Sequence, residues 1–282
     1  MPDHAAPLAP EDRARLDALV ADLERLAATA VGYPTNQAFR VDELVPFLRY
    51  SVNNVGDPFQ ASNYRQNTHA LEREVIAEAI GLCGGDAHEA WGYVTTGGTE
   101  GNLFALHLAR ELLPDGVVLF SEATHYSVPK IIGLLGMRSI MLRADARGAV
   151  DYDDLAETVR IHRDVPPIVF ANVGTTMTGA VDDLRRIHAV LDGLAIPRRY
   201  VHADAALSGM ILPFVEDAPG WSLADGADSL AVSGHKMLGS PVPCGIVLAH
   251  RRHVERIARS IEYVGAIDAT IGGSRSGIAP LI

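Results

Sequence analysis

From Trp91 to Ser121 the chain reads WGYVTTGGTEGNLFALHLARELLPDGVVLFS, and this stretch decides the fold. WGYVTT is a short run rich in β-branched and aromatic residues, the composition of a strand. The pair Gly97-Gly98 breaks it, LFALHLAREL reads as a helix over 100–113, and VVLF is a second apolar strand. Downstream the same grammar repeats: SIML, PIVFANV, RYVHAD, SLAVS and GIVLAH alternate with helical stretches at 151–162, 182–194 and 252–262. Seven short apolar strands alternating with helices predict an α/β fold, a mainly parallel sheet covered on both faces.

Upstream the character differs. Leu16, Leu19, Val20, Leu23 and Leu26 recur at helical spacing, and Gly32 can close that helix. The expected element is an amphipathic arm that packs on the body or on a partner subunit. GYPTNQAF, a short second helix and the irregular loop SVNNVGDPFQASNYRQN follow. Leu71, Val75, Ile76, Ala79 and Ile80 then mark a helix that ends at Gly84-Gly85. The expected organisation is an N-terminal helical arm with a substrate-side loop over 1–60 and a large ligand-binding domain over 61–282.

Composition narrows the function. The chain has 282 residues, 48% of them apolar and 21% charged, as a globular enzyme has. Its net charge of −11 disfavours nucleic acid and anionic membranes as partners. No apolar run is long enough to span a bilayer and the N-terminus lacks the apolar core of a signal peptide, so the expected location is the cytoplasm. Cys83 and Cys244 form no C-x-x-C pair, and the eleven histidines include no H-E-x-x-H, so no metal site is expected. Arginine supplies nearly all the basic charge. The only lysines are Lys130, inside the helical run SVPKIIGLL, and Lys236.

In parallel sheets ligands bind beyond the carboxyl ends of the strands, so the residues just after each run carry the functional reading. Gly97-Gly98-Thr99 opens a helix whose free N–H groups and dipole suit a phosphate; an ordinary strand-to-helix turn is the alternative. His125 follows VVLF and can stack on a flat ligand or move a proton, or simply be structural. Gly174-Thr175-Thr176 follows PIVFANV. Asp204 ends RYVHAD, where a carboxylate needs a cation or serves as a helix cap. Ser233-Gly234-His235-Lys236 follows SLAVS, where a solvated lysine is the ordinary alternative. Together these residues suit an aldehyde cofactor with a pyridine ring and a phosphate. The lysine amine forms an imine, the carboxylate keeps the ring nitrogen protonated, the glycine turn holds the phosphate and the imidazole covers the ring.

At this point the chain resembles the fold-type-I pyridoxal-phosphate (PLP) enzymes of the group II amino-acid decarboxylases, and more narrowly the bacterial PLP-dependent histidine decarboxylases. The resemblance runs from about Gly32 onward and is most specific in WGYVTTGGTEGN, THYSVPKI, FANVGTTMTGAVDD, HADAALSGMILPFV, SGHKMLGSPVPCGIV and GSRSGIAPL. It implies a large domain built on a seven-stranded sheet, a homodimer with the active site at the subunit interface, and release of CO₂ from an amino acid. Position by position, Lys236 matches the Schiff-base lysine, Asp204 the partner of the pyridine nitrogen and His125 the stacking histidine. Gly98, Thr99, Ser233 and His235 match phosphate-binding positions, Thr176 a threonine that supports the aspartate, and Ala206 an alanine against the ring. Gly273 and Ser274 match a loop that reaches the neighbouring subunit's phosphate. Tyr263 is the nearest match to a loop tyrosine that returns a proton to the substrate carbon. Relatives carry a small C-terminal domain that is expected to be missing here. Histidine is the expected substrate. GDPFQASNY and DATIGGSR also resemble plant serine decarboxylases, and a valine-type decarboxylase is a further option. An aminotransferase or cysteine desulfurase would share the fold, and an inactive PLP-fold chain is the non-enzymatic alternative.

Overall fold

Each of the seven apolar runs forms a strand of one sheet in the computed structural model, which describes residues 7–38, 41–61, 63–261 and 265–282. The described chain falls into two compact units, one ending at Tyr33 and one running from Pro34 to Ile282. In the first, α1 (Pro10–Ala27) starts on a proline with Glu11 and Asp12 in its first turn and Arg25 in its last, charges that complement the helix dipole. The helix ends at Ala27, well before Gly32, so Gly32 does not close it.

The second unit opens with a 3₁₀ turn over Asp42–Arg49, where Pro46 prevents the expected short α-helix from forming its ladder. Next come β1 (Asn53–Asn54), α2 (His69–Leu82), β2 (Ala90–Thr95) and α3 (Gly98–Leu112). Then β3 (Val117–Ser121), α4 (Ser127–Leu135), β4 (Arg138–Leu142), α5 (Tyr152–Ile161), β5 (Pro167–Asn172), α6 (Leu184–Gly193) and β6 (Tyr200–Asp204) alternate. The sheet is completed by β7 (Ser229–Ser233) and β8 (Gly245–His250), in the order β2-β8-β7-β6-β5-β3-β4. From β7 to β4 every pairing is parallel; β8 alone runs antiparallel to both its neighbours. The parallel strands therefore end on one edge, at Ser121, Asn172, Asp204 and Ser233, and β2 ends there too at Thr95.

Alternate residues of each strand face opposite layers. Val169, Ala171 and Val201 pack in a core with Ile76, Leu155 and Ile187 from α2, α5 and α6. Ile168, Phe170 and Tyr200 pack in a second core with Phe104, Leu108 and Ile131 from α3 and α4. Burial on both faces explains why β2, β5, β6 and β7 read as unbroken apolar runs. The edge strand β4 is mostly exposed and carries Arg138, a charge that blunts edge-to-edge pairing. Among the described residues no helix is long and apolar enough to cross a membrane.

The helix expected over 252–262 is a correction. α7 spans only Arg251–Val254, and β9 (Arg259–Ile261) follows. Val254 and Ile257 are buried at helical spacing, which gave the helical reading, but Arg259–Ile261 pairs with β10 (Ala266–Asp268). The hairpin pairing overrides the local periodicity. Finally β11 (Arg275–Ser276) pairs antiparallel with β1, returning the late chain to the loop before α2. Arg275 is buried there; its guanidinium meets the Glu72 carboxylate and donates to the carbonyls of Val94 (3.0 Å) and Gly56 (2.6 Å). Glu72 also accepts from the Val94 N–H (2.9 Å) and the Asn54 amide (2.7 Å).

Candidate active site

A cavity of about 800 Å³, counting its open mouth, lies beyond the carboxyl ends of β2, β3, β5, β6 and β7, within the range of roughly 300–1,000 Å³ for small-molecule sites. Gly98, Thr99, His125, Thr176, Asp204, Ala206, Ser233, His235 and Lys236 all line it. The topology puts it there. The chain passes from β3 outward to β4 and then back across to β5, so crossovers diverge on either side of β3, and His125 and Thr176 follow the two strands at that switch point.

The wall below α3 is built by close approach. Gly97 has φ +148°, a conformation side-chain-bearing residues rarely adopt, and it turns β2 directly into α3. A Cβ at Gly98 would lie 2.7 Å from Ser233 Oγ and 3.1 Å from the Ala206 methyl; one at Gly101 would lie 2.8 Å from the Ala231 methyl. Glycine at these positions lets the helix start sit down on the ends of β6 and β7. The N–H groups of Gly98 and Thr99 have no acceptor within the helix, and both residues line the same cavity as Ser233. Glu100 clamps the turn: one carboxylate oxygen accepts from the Thr96 N–H and hydroxyl, both at 2.7 Å, and the other from the Tyr93 hydroxyl at 3.0 Å.

Lys236 is half-buried in a π-helical turn over Gly234–Leu238, a wide winding that is rare and concentrates at functional sites. The Asn36 N–H donates to the Lys236 carbonyl at 2.7 Å, and Gly239, at φ +79°, ends the turn. His235 Nδ1 contacts the Cys244 carbonyl at 3.0 Å, so Nδ1 carries the proton and Nε2 is left for a ligand. His125 Nδ1 accepts from the Ser127 N–H at 3.3 Å, which places the proton of the neutral ring on Nε2. Burial pushes the His125 imidazole below its ordinary pKa, so the neutral ring prevails.

Asp204 is buried and forms no ion pair among the described residues. Its Oδ1 accepts the Ala206 N–H at 3.1 Å and its Oδ2 the Asn102 amide at 2.8 Å. Burial raises its pKa; the Asn102 and Ala206 hydrogen bonds and the charges of Lys236 and His125 oppose that rise without cancelling it. Thr176 lines the cavity, and the hydrogen bonds to Asp204 come from Asn102 and Ala206 rather than from it. Gly273 and Ser274 do not line this cavity; Ser274 accepts a hydrogen bond from Asn53 at 3.1 Å. Tyr263 lies outside the described residues.

The sequence reading missed Asn102, His202 and Glu100. Asn102 lies inside the quoted GGTEGN run and His202 inside HADAA, but what each touches depends on contacts about a hundred residues away.

A sheet with one reversed strand, whose strand ends gather a lysine, a carboxylate and a histidine beside an open helix start, defines an α/β enzyme of PLP fold type I. A solved L-methionine decarboxylase from Streptomyces sp. 590 superposes with a TM-score of 0.89 at 27% identity, covering 99% of this chain and 76% of the other. Residues 105–270 match the pyridoxal-dependent decarboxylase conserved domain, and the chain belongs to that family. It is 44% identical to a histidine decarboxylase of Mesorhizobium japonicum over 98% of this chain and 74% of that one. It is 47% identical to the histidine decarboxylase of Morganella morganii over 96% and 72%.

The family's cofactor is PLP, and the residues present fit it. A buried carboxylate without a cationic partner suits a protonated ring nitrogen. The α3 start, where a Cβ at Gly98 would fill the gap to Ser233, suits a phosphate.

Proposed function

We propose that this chain decarboxylates L-histidine to histamine with PLP as cofactor, in the cytoplasm, as a homodimer whose active site lies at the subunit interface. The observation that carries the chemistry is the convergence of Lys236, Asp204 and His125 in one cavity at the strand ends. The substrate rests on the likeness to histidine decarboxylases, at 44–47% identity over nearly the whole chain.

When bound, PLP supplies an aldehyde carbon for amines and a cationic ring that takes up the electron pair freed as CO₂ leaves. Lys236 would hold the aldehyde and, after exchange with the substrate amine, stay within reach to recover it. Asp204 would accept the ring N–H and keep that nitrogen protonated. The Gly98 and Thr99 N–H groups, the Thr99 and Ser233 hydroxyls and His235 would hold the phosphate, while Ala206 and His125 bracket the ring. The neutral Nε2–H of His125 would donate to the substrate carboxylate, orienting the bond to be broken. Holding the substrate in one orientation would be part of what these residues contribute, because a positioned bond reacts faster than a free one.

The test is CO₂ and amine release from histidine, serine, valine and methionine by the purified protein with added PLP. Histamine from histidine, with the other substrates at least about ten-fold slower in kcat/KM, is the expected result. Lys236→Ala should remove both turnover and the visible absorbance that PLP gains when joined to a lysine. Turnover that survives this change would sink the reading.

A further inference from the structure

One buried polar chain behind Asp204 is not explained by cofactor contacts. His202 and Asp204 lie two residues apart on β6 and so share a face, and Asn102 of α3 reaches both. Ser229, on the neighbouring strand β7, completes the row. His202, Asn102 and Ser229 are at most 2% exposed and Asp204 is 8%. The distances are 2.8 Å from Ser229 Oγ to His202 Nδ1, 2.9 Å from His202 Nε2 to Asn102 Oδ1, and 2.8 Å from Asn102 Nδ2 to Asp204 Oδ2.

Hydrogen-bond chemistry fixes the direction of this chain. An ionised carboxylate only accepts, so Asn102 must present its NH₂ to Asp204 and its oxygen to His202. That oxygen also only accepts, so His202 must carry its proton on Nε2, and its Nδ1 must accept from the Ser229 hydroxyl. All three donors then point toward Asp204, and each bond polarises the next in a low-dielectric interior. Burial pushes His202 down to about 3, so the ring stays neutral across the working range. The groups facing His202 are Ser229, Asn102 and the Phe170 ring at 5.0 Å, all uncharged. Those facing Asp204 are Asn102 from α3, the Ala206 N–H, Asn172 and Ala231 in register on β5 and β7, and the charged or titratable Lys236 and His125.

We propose that Ser229, His202 and Asn102 form a one-way hydrogen-bond relay that keeps Asp204 ionised and aims it at the cofactor's ring nitrogen, making Asn102 and His202 positioning residues for decarboxylation. This inference rests on the PLP reading above. The relay offsets the burial that would otherwise neutralise Asp204, so its loss weakens the ring as an electron acceptor while leaving substrate contacts intact.

The test uses the whole chain of 282 residues in three measurements. First, ¹⁵N NMR of histidine-labelled apo-protein should show one ring as the neutral Nε2–H tautomer, unchanged from about pH 8 to about pH 5, with the signal absent in His202→Gln. Second, PLP titrated into the apo-protein should bind about ten-fold or more weakly to Asn102→Leu and His202→Leu, the scale of losing one hydrogen bond to a charged group. Third, loaded His202→Leu should lose about ten-fold or more in kcat with histidine KM within roughly two-fold, and His202→Gln, which keeps an amide donor, should recover most of it. A His202 ring that titrates near neutrality or carries its proton on Nδ1 would overturn the relay. So would a folded His202→Leu that binds PLP and turns over like wild type. The underlying reading is judged on wild type alone: a wild-type chain that takes up no PLP overturns both, whereas one that takes up PLP but spares histidine overturns only the substrate.

Discussion

Asn102 spends its two amide ends on different strand residues, and both ends are settled by what they meet. Gly98 is the matching case of a residue defined by what it lacks. Adding a methyl there puts carbon 2.7 Å from Ser233 Oγ, so the serine must turn away or α3 must lift. Gly98→Ala should therefore lower PLP affinity by about ten-fold while changing the urea midpoint of the apo-protein little, because alanine suits a helix better than glycine. Equilibrium titration of both apo-proteins checks this, and unchanged affinity would show that the helix start does not hold the phosphate. Much of the site was legible at this scale. Thr99, His125 and Lys236 each come within a few residues after an apolar run and Asp204 closes one, and a parallel sheet delivers such residues to one edge. His202 was not, because inside the run RYVHAD it looks like one more strand residue. Its meaning comes only from Asn102, a hundred positions earlier.

At the scale of elements, the strands were readable because burial on both faces leaves unbroken apolar runs, as in β5 and β7. One misreading fell where local pattern and tertiary pairing disagree. Val254 and Ile257 have helical spacing, yet β9 pairs with β10 instead. The bond network between Arg275 and Glu72 belongs to the same class, since its partners stand 203 residues apart. Both side chains are essentially buried, at 1% and 0% exposure. Removing one partner of such a pair strands a charge, at a cost of about 3–5 kcal/mol. Glu72→Gln should thus destabilise strongly in urea, more than Arg198→Ala at the exposed Arg198–Asp115 pair, where solvent screens the charges. Combining Glu72→Leu with Arg275→Met should recover part of the loss. Equal effects at the two pairs would mean that burial adds nothing to the Glu72–Arg275 pair.

For the whole molecule, proton linkage follows from burial. The pKa values of His69, His107, His125, His202, His250 and His253 are all pushed down, chiefly by desolvation, with His202 near 3 and His253 near 4. Below the ordinary histidine value of 6.5 the unfolded chain binds protons that these rings refuse, so their contribution is complete above that pH and is lost as pH falls toward the folded values. Asp57, Asp204 and Asp228 are raised by burial and act in the opposite sense, losing stability as pH rises through their window. The difference between wild type and His202→Gln isolates one ring. Between pH 6.5 and 4 the wild-type apo-protein should lose stability more steeply by about 1.4 kcal/mol per pH unit, one proton's worth. Urea denaturation across that range reads it directly, and parallel curves would show that His202 is charged or exposed. Arg275 adds a consequence in time. The cation that neutralises Glu72 emerges from the ribosome some two hundred residues after it, so a nascent chain that has finished the sheet still carries an unanswered carboxylate beside β2. The latch between Glu72 and Arg275 closes only when the segment around Arg275 arrives, so this part of the domain is completed after every strand of the sheet has been made rather than by gradual accretion from its start.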